Sequence, residues 1–385
     1  MDTFFFHLMP YRAVEGDAYP FASDAWDPET GARYYHEYLG QLEYAAELGF
    51  DGLGFNEHHF SAYGLMPSPV VVASYLAGRT DDVALGFFGN VLPVRANPVR
   101  LAEELAMVDN ISEGRVISGF PRGITTEYLA YNVPQSESRS RMAEAWDLVE
   151  RTWTAEEPFD HDGEHFQFEN VYAWPRPYQQ PHPPLWMPAS SEESLRFAAE
   201  RELPIGTGGG TAEMIGETFD RYRELAEEYG WTPTDEHFTV LSQVYVGEET
   251  STATAEVADH LEFLFERLFA GVHVGAQAQL MGELYDPARR EAYVAEMEPY
   301  TRAMLDYDVE DSLESGTLLV GGPEDVAARI EELYDVVGGF GTLVGQFHVG
   351  SLPDDLTRAS LRRYAEEVAP AVDGIGGDGL TSRLR

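Results

Sequence analysis

The chain is 385 residues long and 44% of its residues are hydrophobic, which is enough to bury a large core in one to three domains. It has no cysteine, so disulfides, thiolate metal sites and cysteine nucleophiles are excluded. Its 67 acidic residues against 25 basic ones, all of them arginine, give a net charge of −42 and exclude the basic face that nucleic-acid binding requires.

This charge is typical of proteins from salt-accumulating organisms, because molar salt screens the repulsion between carboxylates within about 3 Å. We therefore expect a halophilic source, and the 12% of aromatic residues exclude an acidic disordered chain. The segment MDTFFFHLMPYRAVEGDAYPF lacks the basic and apolar regions of a signal peptide, and no run approaches the ~18 apolar residues of a membrane-spanning helix. We expect a cytoplasmic protein without membrane or nucleic-acid partners.

Apolar, strand-like segments alternate with amphipathic helical segments along the chain. The predicted strands are 3–9, 50–56, 83–92, 114–120, 184–190, 203–208, 238–247 and 342–350. The predicted helices are 34–49, 67–80, 97–112, 140–153, 191–200, 211–230, 252–270, 322–339 and 353–368. The third helix begins with Asn97 as its cap and Pro98 in its first turn. Eight strands alternating with helices favour an α/β fold, a (β/α)₈ TIM barrel with insertions, over a doubly wound sheet.

We expect one barrel domain over residues 1–370 and a flexible tail at 371–385. Two segments exceed ordinary loop lengths, 154–183 and 271–315, and long excursions on this fold usually lie over the active face. The first predicts a small hairpin followed by a proline-rich lead into the fifth strand. The second predicts a mobile or partly helical insertion.

Polar residues collect where the predicted strands end, which is where barrel enzymes place their chemistry. The segment GFNEHHFSAYG at 54–64 holds Glu57, His58 and His59, and three interpretations are open: a metal site, an acid/base site and a polar loop. A carboxylate beside an imidazole can fix its tautomer and raise its basicity. His58 or His59 is therefore an acid/base candidate, with Glu57 as its neighbour.

A catalytic metal is disfavoured. Adjacent His58 and His59 on an extended segment point to opposite sides of the chain. The segment HDGEH, from His161 to His165, has the order of a zinc motif, but that motif needs a helix and Gly163 indicates a turn.

Two segments are candidates for binding an anion. In GFPRG, Gly123 lets the backbone approach a ligand and Arg122 offers a bidentate donor for a phosphate. Ser190 and Ser191 precede a helix, whose free N–H groups also suit a phosphate, although a simple helix cap is the better explanation of Ser191 taken alone. The glycine-rich loop 206–211 is weaker evidence, because it lacks the lysine of a phosphate-binding loop.

Three segments resemble bacterial luciferase and the luciferase-like flavin monooxygenases: NEHHFSAYG, GNVLPVRANPVRLAEELAMVDNISEGRVISGFPRG and PRPYQQPHPPLWMPASS. The likeness is ordered along the chain from the first strand to the last helix. The first two segments together are specific, whereas the third is common to the wider superfamily.

The resemblance implies a TIM barrel that binds FMN, delivered reduced by a separate flavin reductase, and uses it with O₂ to oxygenate a small apolar substrate, an aldehyde in luciferase itself. His58 matches the family's catalytic base, Arg122 an arginine that holds the FMN phosphate, and Ser190 a serine of the phosphate loop. The family tends to carry a bulge or a non-prolyl cis bond beneath the flavin, which places it at Phe88–Gly89. The residues expected to contact the cofactor are Phe88, Gly89, Asn90, Arg122, Gly123, Ala189, Ser190, Ser191 and Gly208.

The chain also departs from the family. Pro121 stands where luciferase has a cysteine near the reactive flavin carbon, and Ala189 replaces an acidic residue, so light emission is not implied. The insertion 271–315 matches the family's mobile active-site loop, which we expect to be poorly ordered without ligand.

Relatives commonly dimerise, so we expect a homodimer or a higher homo-oligomer. Two alternatives to the monooxygenase stay open. The first is hydride transfer with a deazaflavin coenzyme, whose acidic tail would need a basic groove. The second is a non-catalytic flavin-binding protein.

Overall fold

Eight parallel strands close into a barrel in this computed structural model, which describes residues 1–15, 21–269, 272–273 and 307–384. The barrel strands are β1 (Asp2–His7), β2 (Gly52–Phe55), β3 (Ala84–Phe87), β4 (Val116–Gly119), β7 (Leu185–Pro188), β8 (Ile205–Thr207), β9 (Phe238–Val246) and β11 (Thr342–Gln346). Each pairs in parallel with the next in this order, and β11 returns to β1 with Asp2 opposite Thr342. The predicted TIM barrel is confirmed, and its eight strands are the eight that the sequence predicts.

Helices follow the strands and cover the outside of the barrel. They are α1 (Pro28–Glu47), α2 (Pro69–Ala77), α3 (Pro98–Ile111), α4 (Thr125–Ala130), α5 (Ser138–Thr154), α6 (Glu192–Glu200), α7 (Ala212–Tyr229), α8 (Thr250–Glu262) and, near the carboxyl terminus, Val309–Glu314, Pro323–Val337 and Asp354–Arg363. The predicted entry to α3 is confirmed, since the Asn97 side chain accepts a hydrogen bond of 2.9 Å from the Arg100 N–H and Pro98 opens the helix.

A further parallel strand, β10 (Leu318–Gly321), was not predicted. It pairs with the carboxyl-terminal part of β9, where Leu318 lies opposite Gln243, whereas β11 pairs with the part of β9 from Thr239 to Gln243. The long strand β9 therefore supports two partners in succession.

The two predicted excursions have different outcomes. Residues 154–183 contain the expected hairpin, formed by β5 (Phe159–Asp162) and β6 (Gln167–Val171). The hairpin is attached to α5 by Glu144, whose carboxylate accepts hydrogen bonds of 2.9 Å from the N–H groups of His165 and Phe166. The expectation for 271–315 falls largely on residues 274–306, which lie outside the described residues.

The carboxyl-terminal segment does not hang free as a tail. Leu380 is fully buried, and its N–H donates to the Thr342 hydroxyl at 2.9 Å. The Thr381 N–H donates to the Asp2 carboxylate at 2.6 Å. Because Asp2 and Thr342 begin β1 and β11, Leu380 and Thr381 lie against the amino-terminal end of the barrel, within the segment 371–385 that the sequence predicts to be a flexible tail.

None of the helices within the described ranges is long and apolar enough to cross a membrane.

Candidate active site

The carboxyl ends of the strands surround a cavity of about 760 Å³. Its walls come from the segments that follow β2, β3, β4, β7 and β8, which is the face on which barrels of this type place their chemistry. Of the residues predicted for the site, the cavity is lined by Glu57, His58, Phe88, Gly89, Arg122, Gly123, Ala189, Ser190, Ser191 and Gly208. His59 and Asn90 do not line it.

The floor of the cavity is apolar and aromatic. The rings of Phe88 and Trp186 meet edge to face with centroids 4.8 Å apart, and Phe6 lies on the other side of Phe88 at 6.4 Å. The indole N–H of Trp186 is satisfied by the Thr239 hydroxyl at 3.2 Å. A planar, largely apolar ring system would bury this surface from water.

One buried acceptor at the cavity has no partner among the residues that the structure describes. Asn56 lines the cavity, and its amide nitrogen donates to the His7 carbonyl, but its Oδ1 is buried and makes no hydrogen bond within the described residues. An unsatisfied buried acceptor is unfavourable by about 1–3 kcal/mol. It is therefore a place where an N–H group of a ligand would be stabilised.

The two adjacent histidines separate to opposite sides of the chain. His58 lines the cavity with 19% of its side chain exposed, and its Nδ1 lies 3.1 Å from Oε1 of Glu127. Its Nε2 has no hydrogen-bond partner among the described residues. The side chain of His59 is 3% exposed, and its two nitrogens lie 2.8 Å from Oε1 of Glu57 and 3.2 Å from the Tyr131 hydroxyl.

Glu57 is not the partner of His58, contrary to the expectation from their adjacency. Its Oε1 lies within hydrogen-bond distance of Nε2 of His59. Its Oε2 accepts hydrogen bonds from the Val91 N–H at 3.0 Å and from the Arg95 guanidinium. The side chain is 1% exposed. Because extended neighbours point to opposite faces, Glu57 and His59, two residues apart, meet each other rather than the residue between them.

A set of hydroxyls and backbone N–H groups lies at the other end of the cavity, at the beginning of α6. The N–H groups of Ser190 and Ser191 both lie within 3.2 Å of the Ser194 hydroxyl, and Ser191 caps α6. These groups point to the entrance of a helix, where the helix dipole favours negative charge.

Two arginines border the same end of the cavity. Arg122 and Arg139 both line it, and the guanidinium of Arg122 makes no hydrogen bond or ion pair with the residues that the structure describes. Glu193 lies 3.4 Å from Arg139. Its pKa is lowered by a backbone N–H and by the charges of Arg139 and Arg122. This end of the cavity can receive an anion, with one acidic side chain beside it.

The segment after β3 is trans at Phe88–Gly89. The cis peptide bonds in the described ranges are Trp174–Pro175 and Gln180–Pro181, so of the expected bulge or cis bond at Phe88–Gly89 the cis bond is absent there. Instead the chain turns sharply after β3, with the Phe88 N–H 3.0 Å from the carbonyl of Phe55 and 3.1 Å from that of Gly86. A Cβ on Gly89 would lie 2.3 Å from the Glu57 nitrogen, so the ends of β2 and β3 approach closely only because this residue is glycine.

Asn90 is fully buried behind the wall of the cavity, and neither polar atom of its side chain has a partner within the described part of the chain. The zinc-like segment also forms the turn of the hairpin: His161 lies 3.0 Å from Glu144 of α5, and neither histidine of the segment lines the cavity. Among the described residues, no group of three acidic or histidine side chains could hold a metal ion.

The family model for luciferase-like monooxygenases matches residues 19–338. The chain belongs to this family. Among curated relatives, the oxygenase component of the flavin-dependent trigonelline monooxygenase of Acinetobacter baylyi is 32% identical over 353 residues, covering 90% of this chain and 92% of that protein. The alkanal monooxygenase alpha chain of Photorhabdus luminescens is 34% identical over 199 residues, covering 50% of this chain and 52% of the relative.

The chain therefore spans only about half the length of the alkanal monooxygenase relatives that it matches at this level. Solved monooxygenase structures share its fold. One is the oxygenating constituent of 3,6-diketocamphane monooxygenase from Pseudomonas putida in complex with FMN, with a TM-score of 0.74, 21% identity, and coverage of 96% of this chain and 98% of that one. The predictions of a luciferase-like fold and of membership in the luciferase-like monooxygenase family are confirmed.

Proposed function

We propose that this member of the luciferase-like family is a two-component monooxygenase of the cytoplasm. It takes reduced FMN from a separate reductase and uses O₂ to oxygenate a small apolar substrate such as an aldehyde. The observation that carries the proposal is His58, which lines an apolar, aromatic-floored cavity and whose Nε2 has no partner in the described part of the chain. Groups that suit an anion lie at the other end of this cavity.

The residues present fit FMN. The aromatic floor suits the isoalloxazine ring, and the unpartnered Oδ1 of Asn56 suits a ring N–H. Arg122, Ser190 and Ser191 suit the phosphate. The FMN in the diketocamphane structure and the relative's name, the oxygenase component of a flavin-dependent monooxygenase, support the cofactor and the reductase partner.

Bound reduced FMN would supply two electrons and activate O₂. For an aldehyde the balance is RCHO + O₂ + FMNH₂ giving RCOOH + H₂O + FMN, with one oxygen atom entering the product and the other leaving as water. The apolar walls exclude bulk water from the reacting atoms. Nε2 of His58 would hold and transfer a proton during the reaction, as a general base and then as a general acid.

A deazaflavin coenzyme is the second candidate, and the charge of the cavity argues against it. The chain has no lysine, and the anion-binding end holds the carboxylate of Glu193 beside its two arginines. A polyanionic tail would meet this carboxylate and the strongly acidic surface beyond it. A non-catalytic flavin-binding protein, the third candidate, leaves the position of His58 unexplained.

Anaerobic titration separates the three candidates. The protein is mixed with photoreduced FMN or with reduced deazaflavin, binding is measured by fluorescence, and ¹⁸O₂ is then admitted with a panel of aliphatic aldehydes. We expect reduced FMN to bind and one ¹⁸O atom to enter the carboxylic acid. Binding and oxidation of the deazaflavin alone would replace the proposal by the second candidate, and FMN binding without product from any aldehyde would favour the third.

Two variants test the residue assignments within this proposal. His58→Ala should keep its affinity for FMN and lose product formation by about 10²-fold or more, since it lacks the base. Arg122→Ala should weaken FMN binding by about tenfold or more, because it loses a charged hydrogen bond to the phosphate. Equal FMN affinity in wild type and Arg122→Ala would overturn the phosphate assignment.

A further inference from the structure

We propose that Glu127 is the positioning residue of His58, an inference that rests on the proposed function. Glu127 holds the proton of His58 on Nδ1 and so presents the unprotonated Nε2 to the substrate. The two residues are 69 positions apart in the chain, one after β2 and the other in α4, and the fold brings their side chains to 3.1 Å.

The Glu127 carboxylate is held in place by a hydrogen bond other than its contact with the imidazole. Its side chain is 1% exposed, and Oε2 accepts a hydrogen bond of 2.7 Å from the Ile124 N–H at the beginning of α4. This leaves Oε1 for His58. An ionised carboxylate can only accept, so Nδ1 must donate, and a neutral imidazole then has its lone pair on Nε2.

The other groups around His58 do not compete for this role. The Tyr63 ring packs against the imidazole at 4.7 Å, and burial together with the charge of Glu127 raises the pKa of the Tyr63 hydroxyl. Burial lowers the pKa of His273, which lies near Glu127 and His58, to about 4. Both groups are therefore neutral at neutral pH, and the Nε2 of His273 has no partner within the described residues.

Glu57, which precedes His58 in the chain, cannot replace Glu127. Its two oxygens are occupied by His59, the Val91 N–H and Arg95. Each of the two histidines that follow β2 therefore pairs with a different glutamate. Only the pair formed by Glu127 and His58 has both members on the cavity.

The test compares Glu127→Gln with a matched control, Glu144→Gln. Glu144 of α5 also joins a histidine, His161 at 3.0 Å, to backbone N–H groups, but these partners belong to the hairpin and Glu144 does not line the cavity. Both variants are labelled with ¹⁵N in the histidine rings, and the tautomer of His58 is read from its nitrogen shifts, assigned by the loss of signals in His58→Gln. Aldehyde oxygenation and FMN affinity are measured for the same variants.

We expect wild type and Glu144→Gln to show the Nδ1–H tautomer, and Glu127→Gln to show a mixture with the Nε2–H form. Product formation in Glu127→Gln should fall about tenfold or more with unchanged FMN affinity, since outer partners of functional histidines have effects of this size. Glu127→Asp should recover part of the activity.

An unchanged tautomer in Glu127→Gln would overturn the proposal whatever the activity. If wild type oxygenates no aldehyde, the proposed function fails, but the tautomer still decides whether Glu127 orients His58. Thermal unfolding is measured for each variant to detect a folding defect. If Glu127→Gln does not fold, Glu127→Asp replaces it in the measurements of the His58 tautomer and of product formation.

Discussion

Two buried histidines at the carboxyl ends of β1 and β11 are kept in their neutral form. His7 and His348 stack with ring centroids 4.9 Å apart at the ends of β1 and β11. His7 has partners, since its Nε2 lies 2.9 Å from Oε1 of Gln41 and its Nδ1 accepts from the Met9 N–H at 2.8 Å. Both nitrogens of His348 lack partners within the described residues. Burial lowers the pKa of His7 to about 3 and that of His348 well below its ordinary value.

These shifts predict acid sensitivity. Because the unfolded chain takes up protons on these imidazoles near pH 6.5 and the folded chain does not, the free energy of unfolding falls as the pH drops from about 6.5 towards 3. Each imidazole contributes a slope of about 1.4 kcal/mol per pH unit. His348→Phe should therefore flatten the dependence, measured by urea unfolding between pH 7 and the lowest pH at which the protein stays folded. The exposed His36→Gln is the control, and a slope unchanged in His348→Phe would contradict the assignment.

At the scale of elements, periodicity predicts the eight barrel strands because each is a buried apolar run bounded by turn residues. It misses β10, whose four residues Leu318–Gly321 follow a long excursion and lie between glycines, so that length and context favoured a loop. The burial of Leu380 could not be predicted either, because a single apolar residue among glycines and polar residues forms no periodic pattern.

In the candidate site, too, local sequence patterns predict some features and miss others. Local motifs locate His58, Arg122 and Ser190, since the barrel places strand ends together. The pairing of Glu127 with His58 could not be read from the sequence, because it depends on the side to which each side chain of an extended segment points and on a helix that begins after another strand. Adjacency instead favoured Glu57, which the structure assigns to His59.

The helix α3 exposes a stripe of apolar side chains, and its neighbour α2 exposes one more apolar side chain. Val71 of α2 and Met107 and Ile111 of α3 are 68%, 51% and 53% exposed, and the latter two are one turn apart. The loop with Trp174, 75% exposed, adjoins the stripe, because the Asn110 amide donates to the Arg176 carbonyl. Exposed apolar side chains that lie close together, as Met107 and Ile111 do, favour association with another surface.

We predict that this stripe forms the expected homodimer contact. Ile111→Glu should bury a charge at the interface and convert the dimer into monomers, as measured by sedimentation equilibrium. Val336→Glu, on a different helix with 42% of the side chain exposed, is the matched control and should leave the mass unchanged. A monomeric wild type, or a dimer that survives Ile111→Glu, would rule out this contact.

At the scale of the whole molecule, the charge of −42 opposes folding unless ions screen it. Arginines already pair with several carboxylates; Glu192, for example, lies within 2.9 Å of both Arg196 and Arg221, and these hydrogen bonds lower its pKa to about 2. With 67 acidic residues and 25 arginines, however, most carboxylates have no basic side chain to pair with.

The midpoint of thermal unfolding should therefore rise steeply as KCl is increased from about 0.1 M, where the Debye length is about 10 Å, to molar concentrations, where it is about 3 Å. Scanning calorimetry at constant pH measures the rise. A matched series of scans in sucrose is the control, because sucrose stabilises the folded state by its exclusion from the protein surface and does not screen charge. The difference between the two series gives the electrostatic part of the rise. If KCl and sucrose raise the midpoint equally, or if the midpoint does not move with KCl, self-repulsion does not limit this fold and the expectation of a halophilic source loses its physical basis.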